Sequence, residues 1–217
     1  AALKLIEPGR GDFLLESVEG GSVRGRHSLI GLAPDLVFRA TGNDAAINPH
    51  WLTDREAFAP CDQPALTALR DLVAQCRMDV PTALPRALAC LVGYFGYETV
   101  GLVEKLPRPP ANPIDVPDMM FVRPTVLLVI DRLADALFVV SPVWPGSGDD
   151  NAAIDAAHDR IDATVARLHS TPLPAPVRID EAPEIALEPV LPPGRYAEMV
   201  AAAKEYIAAG DIFQVVL

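Results

Sequence analysis

Thiols and imidazoles are sparse in this sequence, and their scarcity excludes much of the usual metal and redox chemistry. The three cysteines, Cys61, Cys76 and Cys90, are odd in number and far apart. They make neither a disulfide framework nor a CxxC half-site, so reduced thiols are expected. The four histidines (His27, His50, His158, His169) are scattered without an HExxH pair, and no metal site is expected within the chain. No GxGxxG, no phosphate-cradling glycine loop and no Ser-His-Asp arrangement can be assembled, which leaves no self-contained catalytic motif. Long apolar runs are missing too. Val126–Ile130 is typical of the longest, against the roughly 18 residues of a membrane span. No charged-then-apolar leader opens the chain, and a cytoplasmic protein is expected. Basic charge is scarce: 18 Lys and Arg against 29 Asp and Glu give a net charge of -11. That balance argues against a nucleic-acid or anionic-membrane surface. It still allows an anionic small molecule, because a pocket needs only a few local cations.

What is present is ordinary globular material. Of 217 residues, 50% are hydrophobic and 22% charged, enough length and apolar content for a real core. The first forty residues read as β-structure. Phe13-Leu14-Leu15 leads through a Gly20-Gly21 turn to Arg26–Leu32, and in "DLVFRAT" Leu36, Phe38 and Ala40 alternate with Val37, Arg39 and Thr41. Residues 42–62 show no period and read as loop. "DQPALTALRDLVAQCR" predicts a helix capped by Asp62 or Gln63, with Pro64 in its first turn and Leu66, Leu69, Val73 and Cys76 on one face. "ALACLVGYFGYE" reads as a strand whose Gly93 and Gly96 mark a bulge or a close backbone approach.

Thr125–Ile130 and Ala136–Ser141 predict a hairpin buried on both faces, joined by "DRLAD". Asn151–His169 predicts a second helix with Ile154, Ala157, Ile161, Val165 and Leu168 in line. Seven prolines between Pro172 and Pro193 bar helix and most sheet pairing, so this stretch reads as an extended connector. A helix over 194–209, with Tyr196, Val200, Ala203 and Ile207 in line, and a strand from Ile212 to Leu217 complete the chain. Grouped strands without regular βαβ alternation point to α+β and an antiparallel sheet.

Three stretches could carry chemistry. In "FLLES", Glu16 and Ser17 end a strand with a carboxylate for an ammonium group and a hydroxyl for a carboxylate, which suits a small zwitterion. A solvated strand end before a turn is the alternative. In "GYFGYE", Tyr94, Phe95 and Tyr97 could line a pocket for a planar ligand or simply pack in the core. In "GDIFQVVL", Gln214 alternates with Phe213 and Val215, so its amide needs a partner, in water or in a site.

"DFLLESVEGGSVRGRHSLIGLAPDLVFRATG", "LVGYFGYETV" and "AAKEYIAAGDIFQVVL" occur in this order and together resemble component I of anthranilate synthase, a chorismate-utilising subunit. The likeness runs over nearly the whole chain from Leu3. The middle helices and the proline-rich stretch match only in character. It corresponds to the amino-terminal half of such a subunit. The resemblance implies an α+β fold of mainly antiparallel sheet layers, part of the β-sandwich of chorismate-utilising enzymes, with flanking helices and truncated before most of the chorismate-binding region. Residues 1–171 would then be a regulatory, tryptophan-binding region, 172–193 a connector, and 194–217 the first helix and strand of the chorismate-binding region.

For the complete subunit, the resemblance implies conversion of chorismate and ammonia to anthranilate and pyruvate in tryptophan biosynthesis. It further implies ammonia from a glutamine amidotransferase subunit (component II), Mg2+ as cofactor, feedback inhibition by L-tryptophan, and assembly as a homodimer or heterotetramer. The family's magnesium ligands and main chorismate contacts match no residue here, so the chain alone is expected to be inactive. "LLES" matches the family's tryptophan-binding motif, which makes Leu15, Glu16 and Ser17 candidates. Ser28 in "RHSLIG" borders the same pocket, with His27 where the family commonly has tyrosine.

Gln214 matches a position where isochorismate and salicylate synthases carry a lysine general base. Water needs deprotonation before it attacks, whereas ammonia already has a lone pair, so a neutral amide suits amination. Aminodeoxychorismate synthase component I and a stand-alone amino-acid-binding module are the alternatives.

Overall fold

The computed structural model describes residues 1–16, 25–78, 80–82, 84, 88, 91–105, 114–144, 149–175 and 188–217. In chain order the elements are α1 (Ala2–Leu5), β1 (Phe13–Leu15), β2 (His27–Thr41), β3 (Asp44–Asn48), β4 (Ala59–Pro60), α2 (Ala65–Gln75) and β5 (Val92–Phe95). A 3-10 helix (Tyr97–Leu102), β6 (Met119–Asp131), β7 (Ala136–Val140), α3 (Asp150–Ser170) and α4 (Arg195–Ala209) follow. The chain divides into two compact units, Ala1–Pro174 and Ala175–Leu217.

The first unit is α+β, built on one antiparallel sheet. Its spine is the pair β2 and β6, in register from His27↔Asp131 to Ala40↔Met119. At one end the order is β1-β2-β6-β7, and at the other β4-β3-β2-β6-β5. Both long strands carry a buried proline at the crossover, Pro34 opposite Pro124, and the ladder shifts register between Pro34 and Leu36. Proline donates no ladder hydrogen bond, so it belongs at such an irregularity. Ala33 there adopts φ 47, and its backbone groups are satisfied by side chains: Ala33 N donates to Asp12 Oδ1 at 2.8 Å, and Thr125 Oγ1 donates to Ala33 O at 2.8 Å. The interior proline makes Thr125 look like the start of a strand in the sequence. The strand begins six residues earlier, at Met119.

Both faces of the β1-β2-β6-β7 end are covered. Ile30, Leu32, Val126 and Leu128 pack with Leu5 of α1 and Leu168 of α3, while Leu127 and Val129 pack with Leu88, Phe13 and Phe138 on the opposite face. This two-sided burial explains the continuous apolar run in β6. At the other end Leu36, Phe38 and Ala40 meet α2 through Ala65, Leu69, Leu72 and Cys76. The buried stripe of α2 is therefore 65/69/72/76, and Val73 is exposed. Pro64 occupies the cap position with no side-chain cap. On α3, Ala157 and Thr164 are the buried residues while Ile154 and Val165 face outward; Asp149 caps the helix by accepting from Asn151 N at 3.0 Å. Small residues let α3 lie close to the sheet, which a reading weighted by side-chain hydrophobicity passes over.

The region 42–62 holds β3 and β4 rather than loop alone. Thr41 pairs with Asp44 across the two-residue connection Gly42-Asn43, with Gly42 at φ 54, a hairpin that the alanine-rich β3 sequence conceals. Gly93 is the close approach that its sequence setting implied: a Cβ there would sit 1.9 Å from Met120 O on β6. Gly96 lies just outside the strand and begins the 3-10 helix. Gly31 meets β1 in the same way. Its absent side chain is replaced by the Phe13 ring, 2.1 Å from where a Cβ would be, and Phe13 is its register partner. Cys61 and Cys76 are free thiols, and Cys90 lies outside the described residues.

In the second unit, α4 runs between two left-handed glycines, Gly194 (φ 86) and Gly210 (φ 82). The strand expected over 212–217 is not formed: these residues have no ladder partner among the described residues, and an apolar run without a partner has nothing to hold it extended. No helix of the described residues is long and apolar enough to cross a membrane.

Leu128 is fully buried between β2, α1 and α3. Truncating it to alanine is expected to cost about 2–5 kcal/mol, whereas Leu133→Ala on the exposed turn should stay within about 0.5 kcal/mol. Urea unfolding of both variants checks the contrast; equal losses would contradict the packing described.

Candidate functional site

Register and alternation bring three polar side chains to one face at the β1-β2-β6 edge. Phe13↔Gly31, Leu14↔Ile30 and Leu15↔Leu29 are paired, so the next step along β1 places Glu16 beside Ser28. Ser28 is itself paired with Ile130 of β6. Side chains alternate along a strand, so Ser28, Ile130 and Arg132, two residues past Ile130, share that face.

Arg132 joins the group. Its Nη2 donates to Glu16 Oε1 at 3.1 Å and to Ser28 Oγ at 3.3 Å. Ser28 is buried while Glu16 and Arg132 remain open to solvent. The structure thus brings Glu16 and Ser28 to one guanidinium. Leu15 alternates to the opposite face with Phe13, and Ser17 lies outside the described residues. Gln214 is exposed, in the second unit. Tyr94, Phe95 and Tyr97 are also largely exposed, Phe95 standing edge-on to Phe121 at 5.0 Å, so they form no buried core.

A clamp behind the face sets the position of Arg132. Asp131, nearly buried, takes Arg26 in a bidentate pair (Nε to Oδ1 2.8 Å, Nη2 to Oδ2 2.5 Å) and accepts the N–H groups of Leu133 and Ala134 at 3.1 Å each. Arg132 N donates to Arg26 O at 3.1 Å, and His27 Nε2 lies 3.5 Å from Asp131 Oδ2. The Arg26 guanidinium, aided by the two backbone donors, holds the Asp131 carboxyl well below the usual carboxylate range. Beyond the turn, Arg132 borders an open hollow of about 320 Å³ whose apolar wall includes Ile130, Ala136 and Leu137.

The arrangement groups a carboxylate, a hydroxyl and a guanidinium on one face, with no nucleophile paired with a base there among the described residues. The "DRLAD" connection reads as a hairpin turn in the sequence, so nothing local singles out Arg132 as a partner of Glu16 and Ser28. It becomes visible only when β6 is registered against β2. Among the described residues no group of three or more His, Cys, Asp or Glu could hold a metal ion.

The fold occurs in a known setting. The chain belongs to the chorismate binding enzyme family, whose sequence profile matches residues 12–217. It is 39% identical to anthranilate synthase component 1 of Cereibacter sphaeroides over 216 residues, covering 99% of this chain and 43% of that protein. The component 1 of Thermus thermophilus is 32% identical over 217 residues, 100% of this chain and 43% of its own. The crystal structure of anthranilate synthase component I from Streptococcus pneumoniae shares the fold at a TM-score of 0.60 and 20% identity, covering 89% of this chain and 41% of that one. The chain therefore spans about two-fifths of the length of the relatives it matches.

The clamp predicts a definite pH response. An unfolded aspartate titrates near about 3.9, and native Asp131 stays ionised well below that value. Its stabilising contribution is therefore complete above the unfolded value and is lost as pH falls from there toward the depressed native one. Asp131→Asn is expected to be less stable than the parent at pH 7, with the gap narrowing steadily below about pH 4. Denaturant midpoints of both proteins at pH 7 and pH 3 check this, and a gap independent of pH would refute it.

Proposed function

We propose that this chain is part of an anthranilate synthase component I, acting in tryptophan biosynthesis. The complete polypeptide would convert chorismate and ammonia to anthranilate and pyruvate in the cytoplasm. The observation that carries the reading is the family match from residue 12 to 217, together with 39% identity to a component 1 over 99% of the chain. A glutamine amidotransferase subunit would supply the ammonia. Magnesium would be held by the complete polypeptide, since the described residues offer no group of three or more His, Cys, Asp or Glu that could hold a metal ion.

Within that enzyme, the Glu16–Arg132–Ser28 edge is the regulatory end, where L-tryptophan would bind as feedback inhibitor. Glu16 offers an exposed carboxylate for the ligand's ammonium group, and Ser28 adds a hydroxyl to the same face. Leu15 and Ser17 flank Glu16 in the sequence and complete the motif. Gln214 belongs to the amination chemistry in this reading. A neutral amide can hydrogen-bond near the attacked ring carbon without taking a proton, which suits ammonia rather than water as nucleophile.

The decisive assay uses the full-length polypeptide with chorismate, magnesium and ammonium, followed by anthranilate fluorescence. Anthranilate formation is expected. A para-amino product would favour aminodeoxychorismate synthase and overturn the reading. Glu16→Gln should leave uninhibited turnover intact and raise the tryptophan concentration for half-inhibition about 10- to 100-fold, the loss of one charge-assisted hydrogen bond. Gln214→Lys should lower amination and release some hydrated product; unchanged amination with no hydration would remove Gln214 from the mechanism.

A further inference from the structure

We propose that the hollow between the start of α3 and the sheet is a binding site for a small monocarboxylate with a compact apolar body, anchored by Arg160. The hollow measures about 350 Å³, within the range of small-molecule sites. It shares no residue with the Glu16–Ser28–Arg132 cluster and does not include Gln214, so it stands independently of the function proposed above.

Helix spacing singles out Arg160. The buried residues of α3 are Ala157 and Thr164, and Arg160 lies three positions after one and four before the other, on the same face. Its Nε donates to Ser141 Oγ at 2.8 Å, and Ser141 Oγ donates to Thr125 O at 2.9 Å, which ties the half-buried guanidinium to β6. Its side chain makes no ion pair and no second hydrogen bond among the described residues. A cation on the inner face of a helix, with no acid beside it, needs water or a bound anion to offset its desolvation. With Nε spent on Ser141, Nη1 and Nη2 remain. They are the two neighbouring donors at the end of the guanidinium plane, and such a pair takes a carboxylate in bidentate fashion.

The other polar groups of the wall are already committed. Asp35 gives Oδ1 and Oδ2 to Arg123 Nε and Nη2 at 2.8 and 2.9 Å. Asp149 accepts from Asn151 N at 3.0 Å and offsets the positive end of α3. Thr125 Oγ1 donates to Ala33 O. Arg160 is thus the one cation among the described lining residues. The two aspartates oppose further negative charge, which favours a monocarboxylate over a dianion. Val143, Ala152, Ala153 and Ala156 give the remaining wall an apolar character, and the alanines leave room for a short branched chain.

Calorimetry on the full-length polypeptide with 3-methylbutyrate and its neutral isostere 3-methylbutanamide tests this. The carboxylate is expected to bind at least about tenfold more tightly than the amide, reflecting one charge-assisted contact. Arg160→Gln should weaken the carboxylate about tenfold and leave the amide unchanged. Arg160→Lys, which keeps the charge without the fork, should fall between. Ala156→Leu, which fills the hollow and leaves Arg160 in place, should weaken both ligands. Arg70→Gln, on the exposed face of α2, should change neither. Equal affinity of the unmodified protein for the two ligands overturns the proposal, as does no binding of 3-methylbutyrate. An acid-to-amide ratio preserved in Arg160→Gln overturns the anchor. Carboxylate binding unaffected by Ala156→Leu, or weakened equally by Arg70→Gln, removes the site from this hollow.

Discussion

The antiparallel ladder between β2 and β6 is the constraint on which the first unit depends. Every other strand but β4 attaches to one of these two, and α1, α2 and α3 cover what they leave exposed. A ladder of this length twists, and a sheet with different neighbours at its two ends needs a place to change direction. Pro34 and Pro124 provide it by withholding donors at facing positions. The unmatched groups around them would be costly if left buried. Asp12 and Thr125 remove that cost, and Asp12 is itself held by Arg10, whose Nη2 lies 2.6 Å away. One polar side chain thus ties the amino-terminal segment to the midpoint of the sheet.

The same ladder assembles the Glu16–Ser28–Arg132 cluster from residues that are remote in sequence. Glu16 and Arg132 are 116 positions apart, yet each is one step from a register pair that apolar packing enforces. The geometry of this edge is therefore inherited from the core: Leu127, Leu128 and Val129 fix β6 against β2, and the polar residues follow at the strand ends. The overall charge of -11 does not set the local field. Among the described residues at this edge, Arg26 is committed to Asp131, while Arg132 reaches Glu16 and Ser28.

Much of this was legible in the sequence, for physical reasons that differ by element. Alternation in "DLVFRAT" and the apolar hairpin around "DRLAD" revealed β2, β6 and β7, because burial on one or both faces writes a period of two or a continuous run. "FLLES" and "RHSLIG" singled out Glu16 and Ser28 as candidates, and the structure brings both to Arg132. What stayed hidden depends on contacts rather than periods. β3 is written in alanine, β6 runs through a proline, and α3 buries Ala157 and Thr164 in place of Ile154 and Val165. Arg132 is an unremarkable turn residue until the pairing of β6 with β2 and of β2 with β1 is known. The closing run from Ile212 shows the converse: an apolar period is a capacity for pairing, and it becomes a strand only where a second strand answers it.

Gly31 shows how little material can decide the fate of a site. The Phe13 ring occupies the space that any larger side chain at 31 would claim, and this contact fixes which residue of β1 lies opposite which residue of β2. A slip of one residue there would turn Glu16 to the other face of the sheet, away from Ser28 and Arg132. The edge is thus vulnerable to gain more than to loss. Adding a single carbon three positions from Ser28 would separate the charges while leaving Glu16, Ser28 and Arg132 in the sequence, so the integrity of this cluster is encoded partly by a residue that has no side chain of its own.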